Sequence, residues 1–272
     1  MTLTHLSVTG FVVVALAIFF ASAMQASIGF GMGMLAAPIV AIVDPGLVPG
    51  TLIMLAVVVS VLVLVRDRTA LDLSGAGWAL AGRLPGSVVG ALLLVLLPER
   101  GLAILLALVV LGGVALTSFG WVPLPHRRNL VVAGAASGVL GTATSIGGPP
   151  MALVWQGNSG AELRSTMSCF FLVGSIISIA VLTVAGAVNS HTATLFAFLA
   201  PATVLGFLLS RVINRVLDRR RLRITAIAVS AVGAIVLVSL GLRRSSAAPV
   251  ADEGPAPAPV TTSTGSVAVA CP

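Results

Sequence analysis

The chain has no lysine and no tyrosine, and only 8% of its 272 residues are charged. An ordinary soluble domain carries roughly 25% charged residues, and a core this apolar would need polar residues to cover it. Without lysine, a phosphate-binding loop of the Gly-x-x-x-x-Gly-Lys type is also excluded. The sequence therefore excludes a typical water-soluble fold and an ATP-driven motor built on that loop.

Cysteine, histidine and acidic residues are also scarce. Cys169 and Cys271 do not have metal-ligand spacing, and the three histidines lie in loops or near a terminus. The apolar runs contain serines and threonines but no histidine or acid to activate them. We therefore expect no metal, no other cofactor and no enzymatic activity.

Hydrophobic residues, by contrast, make up 58% of the chain, and the mean hydropathy is +1.14. They occur in runs close to the ~20 residues that cross a bilayer. The predicted segments are 8–28, 33–43, 50–65, 77–97, 101–119, 130–146, 149–157, 165–186, 193–213 and 222–241. Eight are long enough to span, whereas 33–43 and 149–157 are too short. The sequence predicts an all-α, multi-pass protein of a cell membrane, typical of a bacterial plasma membrane, with a disordered Ala/Pro-rich tail at 245–272.

All 15 basic residues are arginines, and most of them stand in short connections between the apolar runs. Charges in such positions orient helices in a membrane. A nucleic-acid-binding surface would combine a basic face with interleaved aromatic residues, and none is visible. We expect the lipid bilayer as a partner and no nucleic acid; a homodimer is left open.

An internal repeat divides the chain into a first half at 1–125 and a second at 126–244. Ser-Ile-Gly occurs in both halves, which matches Gly29 with Gly147 at an offset of 147 − 29 = 118. Pro85 matches Pro201 at 201 − 85 = 116, and Gly90 matches Gly206 at the same offset. Basic loops favour inverted repeats, in which each short segment forms a hairpin with the helix before it, although this places Arg243-Arg244 outside. Parallel repeats are the alternative.

Each half contains a Gly/Pro-rich interruption within an apolar stretch. Such a break leaves backbone N–H and C=O groups unpaired, which lipid does not tolerate, so protein, water or a ligand must satisfy them. Matching breaks in two halves indicate a transport site, and the positive N-terminal end of a restarting helix attracts anions. The predicted site residues in and beside the breaks are Gln25, Ser27, Gly29, Gly31, Gly33, Thr142, Thr144, Ser145, Gly147, Gly148 and Pro149.

Arg83 completes this predicted site. It lies six residues inside the span 77–97, and no acid is near it in the sequence. A charge at that depth is costly unless it reaches the headgroups or faces a cavity. Both interpretations stay open: a snorkelling arginine, or a cation that binds an oxyanion through its planar fork.

The two breaks, Ser-Ile-Gly-Phe-Gly-Met-Gly and Ser-Ile-Gly-Gly-Pro-Pro, and the Pro-Gly-Thr start at Thr51 resemble the sulfite exporter TauE/SafE family from about residue 8 to 241. The resemblance implies a permease for sulfite, a sulfonate or a related organosulfur oxyanion. Phe30 and Met32 interrupt a fuller glycine run in the family, so the substrate is not fixed. We expect a secondary transporter working by alternating access; the alternatives are a passive anion channel and a carboxylate transporter.

Overall fold

The computed structural model of the chain describes residues 7–67, 71–98, 126–155 and 160–216, together with most of 101–112. The predicted span 222–241 and the tail at 245–272 lie outside these residues, as does the end of the predicted span 101–119. Within the described part every regular element is helical, which confirms the predicted all-α class.

The described helices follow the predicted segments closely. They are α1 Val8–Ile28, α2 Met32–Val43, α3 Gly50–Arg66, α4 Leu73–Leu96, α5 Arg127–Thr144, α6 Gly148–Val154, α7 Gly160–Val184 and α8 Ser190–Val216, with a 3₁₀ turn at Pro45–Leu47 between α2 and α3. Residues 101–112 contain further helical turns.

Length and composition make four of these helices suitable for crossing a membrane: α1, α4, α7 and the Ser190–Asn214 part of α8. The helices α2 and α3 are apolar but shorter. Many leucines and valines on α4 and α8 are exposed, including Leu92, Val95 and Leu205. In a bilayer such side chains contact lipid instead of water, so their exposure agrees with a multi-pass membrane protein.

The two breaks share a left-handed residue after the first helix but differ before the second, where Gly31 has φ 108° and Gly147 has φ −87°. Both α1 and α5 end at a residue in the left-handed conformation, Gly29 at φ 100° and Ser145 at φ 64°. The next helices start after Gly31 and after Gly147. Both pairs are 116 residues apart (145 − 29 and 147 − 31), as are Pro85 and Pro201. These pairs favour an offset of 116 over the offset of 118 in the predicted match of Gly29 with Gly147.

Glycines allow the halves to pack backbone against backbone. The helices α4 and α5 are in close contact because the facing positions are glycines. A Cβ at any of four of them would collide with the backbone of the other helix: Gly82, Gly86, Gly134 and Gly138. Gly206 of α8 likewise faces the carbonyl of Phe19 in α1. Small residues are the usual means of close helix approach in membranes, where lipid gives no hydrophobic drive for association. Through these contacts, helices of one half pack on helices of the other.

Candidate functional site

The two breaks meet inside the molecule. Gly33, in the first turn of α2, lies directly against the backbone carbonyl of Ser145, and the Cα of Ile146 is 3.3 Å from the position of a Gly33 Cβ. From the other break, a Cβ at Gly148 would lie 3.2 Å from the Phe30 ring. Tertiary packing thus brings together two segments that are more than 100 residues apart in the chain.

A cavity lies where the breaks meet. It is about 30 Å³ in volume, counted as the space open to the centre of a water-sized sphere. One water needs about 10–15 Å³ by this measure, so the cavity has room for two or three water molecules. Of the predicted site residues, the cavity is lined by Gln25, Gly31, Gly33, Arg83, Ser145, Gly147 and Gly148.

Arg83 is the cation of this cavity. Its side chain is 2% exposed, which rules out the snorkelling interpretation. The guanidinium donates a hydrogen bond from Nη1 to the Ser137 hydroxyl at 2.9 Å, and it lies 4.8 Å from the ring centre of Phe170. Among the residues that the structure describes, none accepts a hydrogen bond from its Nε. A buried guanidinium with an unused N–H is costly, and an anion in the cavity would offset that cost.

Space for the guanidinium comes from a glycine. A Cβ at Gly174 of α7 would collide with the Arg83 side chain. The position that corresponds to Arg83 in the second half, at 83 + 116 = 199, is the buried Leu199. The first half therefore places a positive charge at the cavity, whereas the equivalent position of the second half is uncharged.

The first turn of α2 supplies backbone donors. Its N-cap, Gly31, has no side chain to cap the helix, and the first N–H that bonds back to Gly31 is that of Leu35 at 3.1 Å. The three residues between them, Met32, Gly33 and Met34, all line the cavity. Their N–H groups precede the first helical bond and carry the positive end of the helix dipole. This end of α2 suits an anion.

The second break contributes less than the sequence suggests. The helix α6 is seven residues long, and prolines occupy its first turn at Pro149 and Pro150. Proline has no backbone N–H, so few donors remain, and a short helix has a weak dipole. The two helix ends beside the cavity are therefore unequal, and the α2 end offers more free backbone N–H groups.

Five predicted site residues lie outside the cavity lining. The hydroxyls of Ser27 and Thr144 donate to the carbonyls of Ala23 and Leu140, one turn back in their own helices. Hydroxyls in apolar helices commonly bond in this way. Thr142 pairs with Ser178 of α7 at 2.8 Å. The remaining two, Gly29 and Pro149, belong to the turns of the breaks and are not among the lining residues.

The sequence interpretation missed the other half of the lining. It consists of Met32, Met34, Leu52, Ile53, Ala56, Gly141, Ile146, Phe171 and Ser175. Most are apolar, and in an apolar chain nothing in the sequence distinguishes them from core residues. Ser137 was also missed: it accepts the Arg83 hydrogen bond and donates to the carbonyl of Gly147 at 2.6 Å, which ties the cation to the second break.

A cluster of charges lies at one end of the helices, away from the cavity. Asp67 follows α3 and accepts a hydrogen bond from Arg164 Nε of α7 at 2.7 Å and a longer one from Arg66. Both side chains of the Asp67–Arg164 pair are largely buried, at 13% and 14% exposure. Among the residues described, no group of three or more histidine, cysteine or acidic side chains is placed to hold a metal.

The pKa of Asp67 makes a pH dependence predictable. Burial acts to raise it, but the hydrogen bonds from Arg164 and Arg66 and their positive charges outweigh burial and hold the pKa below its ordinary value. The ion pair therefore contributes stability at neutral pH, which is lost as the pH falls through this lowered pKa. We expect the difference in melting temperature between the wild type and Asp67→Asn to be constant from about pH 8 to 5 and to shrink below about pH 4. Thermal melts of purified protein measure it. A difference that disappears near pH 6 would contradict the assignment.

Comparison with known proteins places this architecture in a family. The model of the sulfite exporter TauE/SafE family matches residues 14–237, which covers the breaks, Arg83 and all of α2 to α8. Searches of curated proteins and of solved structures found no match. Because the family match spans most of the chain, it confirms the resemblance seen in the sequence: the chain belongs to the sulfite exporter TauE/SafE family of membrane transporters for sulfur anions.

Proposed function

We propose that the protein is a secondary transporter that carries a small sulfur oxyanion, such as sulfite or a sulfonate, through the cavity between its two broken helices. The observation that carries the proposal is Arg83. Its guanidinium is buried beside the cavity, and within the described part of the chain its Nε has no hydrogen-bond partner and no acidic residue lines the cavity. A fixed positive charge without a protein counter-ion calls for an anionic ligand.

The shape of the donors suits an oxyanion. The guanidinium presents a planar fork of N–H groups, and the N-terminal turn of α2 presents backbone N–H groups from Met32 to Met34. An oxyanion with three or four oxygens accepts from both sets at once. Apolar side chains such as Leu52 and Phe171 complete the wall and keep these interactions strong by excluding water.

Contacts between α3 and α7 support inverted repeats. Asp67, at the end of α3, contacts Arg164 near the start of α7. Gly50, at the start of α3, lies beside Val188, which follows the end of α7. The two helices occupy equivalent places in the halves yet run in opposite directions. We therefore favour the inverted form, with about eight spans and two short helices in hairpins, over the parallel form.

Arginine positions suggest which end faces the cytoplasm. The cluster of Arg66, Arg164 and Asp67 lies at the end of α3. Ser210, beside Arg211 in α8, bonds to Arg66 there, and Arg127 stacks on Trp78 near the start of α4. Cytoplasmic ends of membrane proteins are enriched in arginine. In our proposal this end is cytoplasmic in a bacterial plasma membrane, and α1 starts on the outer side.

Transport follows from alternating access. The α2 end and Arg83 bind the anion near mid-membrane, and rocking of the two inverted halves exposes it to one side and then to the other. Energy comes from a solute or ion gradient.

Counterflow in proteoliposomes tests the proposal. Vesicles loaded with unlabelled sulfite, thiosulfate, sulfoacetate or taurine should accumulate the labelled form of the anion that is carried, with saturation, whereas a passive channel gives no counterflow. A thermal-shift panel with the same anions, sulfate and short carboxylates reports binding independently. The proposal is wrong if none of the sulfur anions stabilises the protein or undergoes counterflow; stabilisation by carboxylates alone would make it a carboxylate transporter.

A further inference from the structure

An ion pair joins the two halves at the arginine-rich end of the molecule. Asp67 follows the last residue of α3 in the first half, and Arg164 stands in the first turns of α7 in the second half. Their 2.7 Å hydrogen bond is charge-assisted and lies mostly out of solvent.

Arg66 ties two more helices to the same point. Its Nη2 donates to the carbonyl of Ala26 in α1 at 2.6 Å, and its Nη1 donates to Ser210 of α8 at 2.9 Å. The guanidinium also lies 5.0 Å from the ring centre of Phe207 in α8. With Asp67 and Arg164 it joins α1 and α3 of one half to α7 and α8 of the other. We call Arg66, Asp67 and Arg164 the arginine latch.

The latch contacts the first break directly. The Cα of Arg164 is 3.2 Å from the position where Gly29 would carry a Cβ, and Gly29 holds the left-handed turn that ends α1. Two residues further on, Gly31 lines the cavity. A movement of Arg164 would therefore shift the turn at Gly29, which sets the position of the α2 end beside the cavity.

Among the described residues, the positions that correspond to the latch in the other half carry no charge. At the offset of 116, Asp67 corresponds to Thr183 (67 + 116) and Arg164 corresponds to Val48 (164 − 116), neither of which is charged. The Thr183 hydroxyl is exposed and bonds to Ile179 in its own helix. Inverted repeats would place equivalent residues at the two ends, so within the described part of the chain the latch is a difference between the halves.

We propose that the arginine latch is the gate at the arginine-rich end: it holds the halves together when the cavity is closed to that side and must break for the cavity to open there. The proposal rests on the transport function proposed above. A largely buried ion pair between the halves suits a gate, because it favours the conformation in which it forms and can be broken in the other.

Thiol labelling tests the gate without any substrate. In a background with Cys169→Ser and Cys271→Ser, Ala56→Cys places a reporter in the cavity lining. A membrane-impermeant thiol reagent is applied to the arginine-rich side of oriented vesicles. We expect Asp67→Asn and Arg164→Gln to raise the labelling rate from that side about tenfold. The charge-swapped pair Asp67→Arg with Arg164→Asp should bring it back towards the parent rate. Arg128→Gln, which removes an exposed arginine near the start of α5, is the matched control and should leave the rate unchanged.

Equal labelling rates in the parent and both single variants would overturn the gate. If the single variants do not yield folded protein, the charge-swapped pair decides: slow labelling supports the gate, and fast labelling in a folded protein refutes it. Because no anion is present, a failure to find a transported substrate leaves this result standing, and a failed gate leaves the anion site untouched.

Discussion

Replacing Arg83 with methionine should abolish anion binding while leaving the protein folded. Truncating one partner of a buried charge pair costs about 2–5 kcal/mol, or at least about 25-fold in affinity at 1.4 kcal/mol per tenfold. The empty protein should melt at an unchanged or higher temperature, because a buried guanidinium with an unpartnered Nε is replaced by an apolar side chain of similar length. Anion-induced thermal shift and counterflow measure the first effect, and melting without anion measures the second.

Two further variants separate charge from shape. Arg83→Lys keeps the charge but loses the planar fork, so it should bind more weakly than the wild type and better than Arg83→Met. The exposed Arg128→Gln is the control for simple loss of one positive charge. A large fall in the melting temperature of Arg83→Met, with anion binding intact in the folded fraction, would show that Arg83 has a structural role only.

Adding one methyl group at Gly33 should have the second large effect. Gly33 lies directly against the carbonyl of Ser145, which belongs to the backbone of the other break and cannot move aside like a side chain. We expect Gly33→Ala to push the α2 end away from the cavity, remove counterflow and lower stability by about 1–3 kcal/mol, the usual cost of overpacking. Counterflow and thermal melts on the same preparation measure both.

Gly77→Ala is the matched control, since nothing lies within 4 Å of a Cβ at Gly77 and the residue is exposed on α4. It should transport normally and be as stable as the wild type or slightly more so, because alanine favours a helix over glycine. Normal counterflow by Gly33→Ala would show that contact between the breaks is not needed for transport.

At the second break, Gly147→Leu should also block binding, because its Cβ would lie 2.8 Å from the Ser137 hydroxyl and 3.3 Å from Arg83 Nη1.

Helix positions were predictable because they depend on local chemistry. Apolar runs, glycines and prolines mark where a membrane helix begins, breaks and ends, and the predicted starts of α1, α2 and α3 lie within one residue of the described ones. The starts of α4 and α7 were predicted four to five residues late. There, Ser74 and Glu162 are polar residues that a hydropathy pattern assigns to a loop, although Asp72 caps α4 through its bond to the N–H of Gly75.

The site was predictable in outline, because unpaired backbone in an apolar chain must be satisfied somewhere. Individual polar residues were not. The pattern Thr-Ala-Thr-Ser at 142–145 offers three hydroxyls in sequence, yet Thr142 and Thr144 bond to Ser178 and to a carbonyl of their own helix. Only Ser145 lines the cavity. The direction of a side chain depends on which helix packs beside it, and sequence periodicity does not contain that information.

By itself, the sequence determined that this is a helical membrane protein of the TauE/SafE family with two interrupted helices, because solvent preference and backbone satisfaction are properties of local composition. Tertiary structure alone decided that the breaks meet and that Arg83 is buried at their cavity and does not reach the headgroups. The reason is that each of these depends on distances between segments from different halves of the chain, which only helix packing sets.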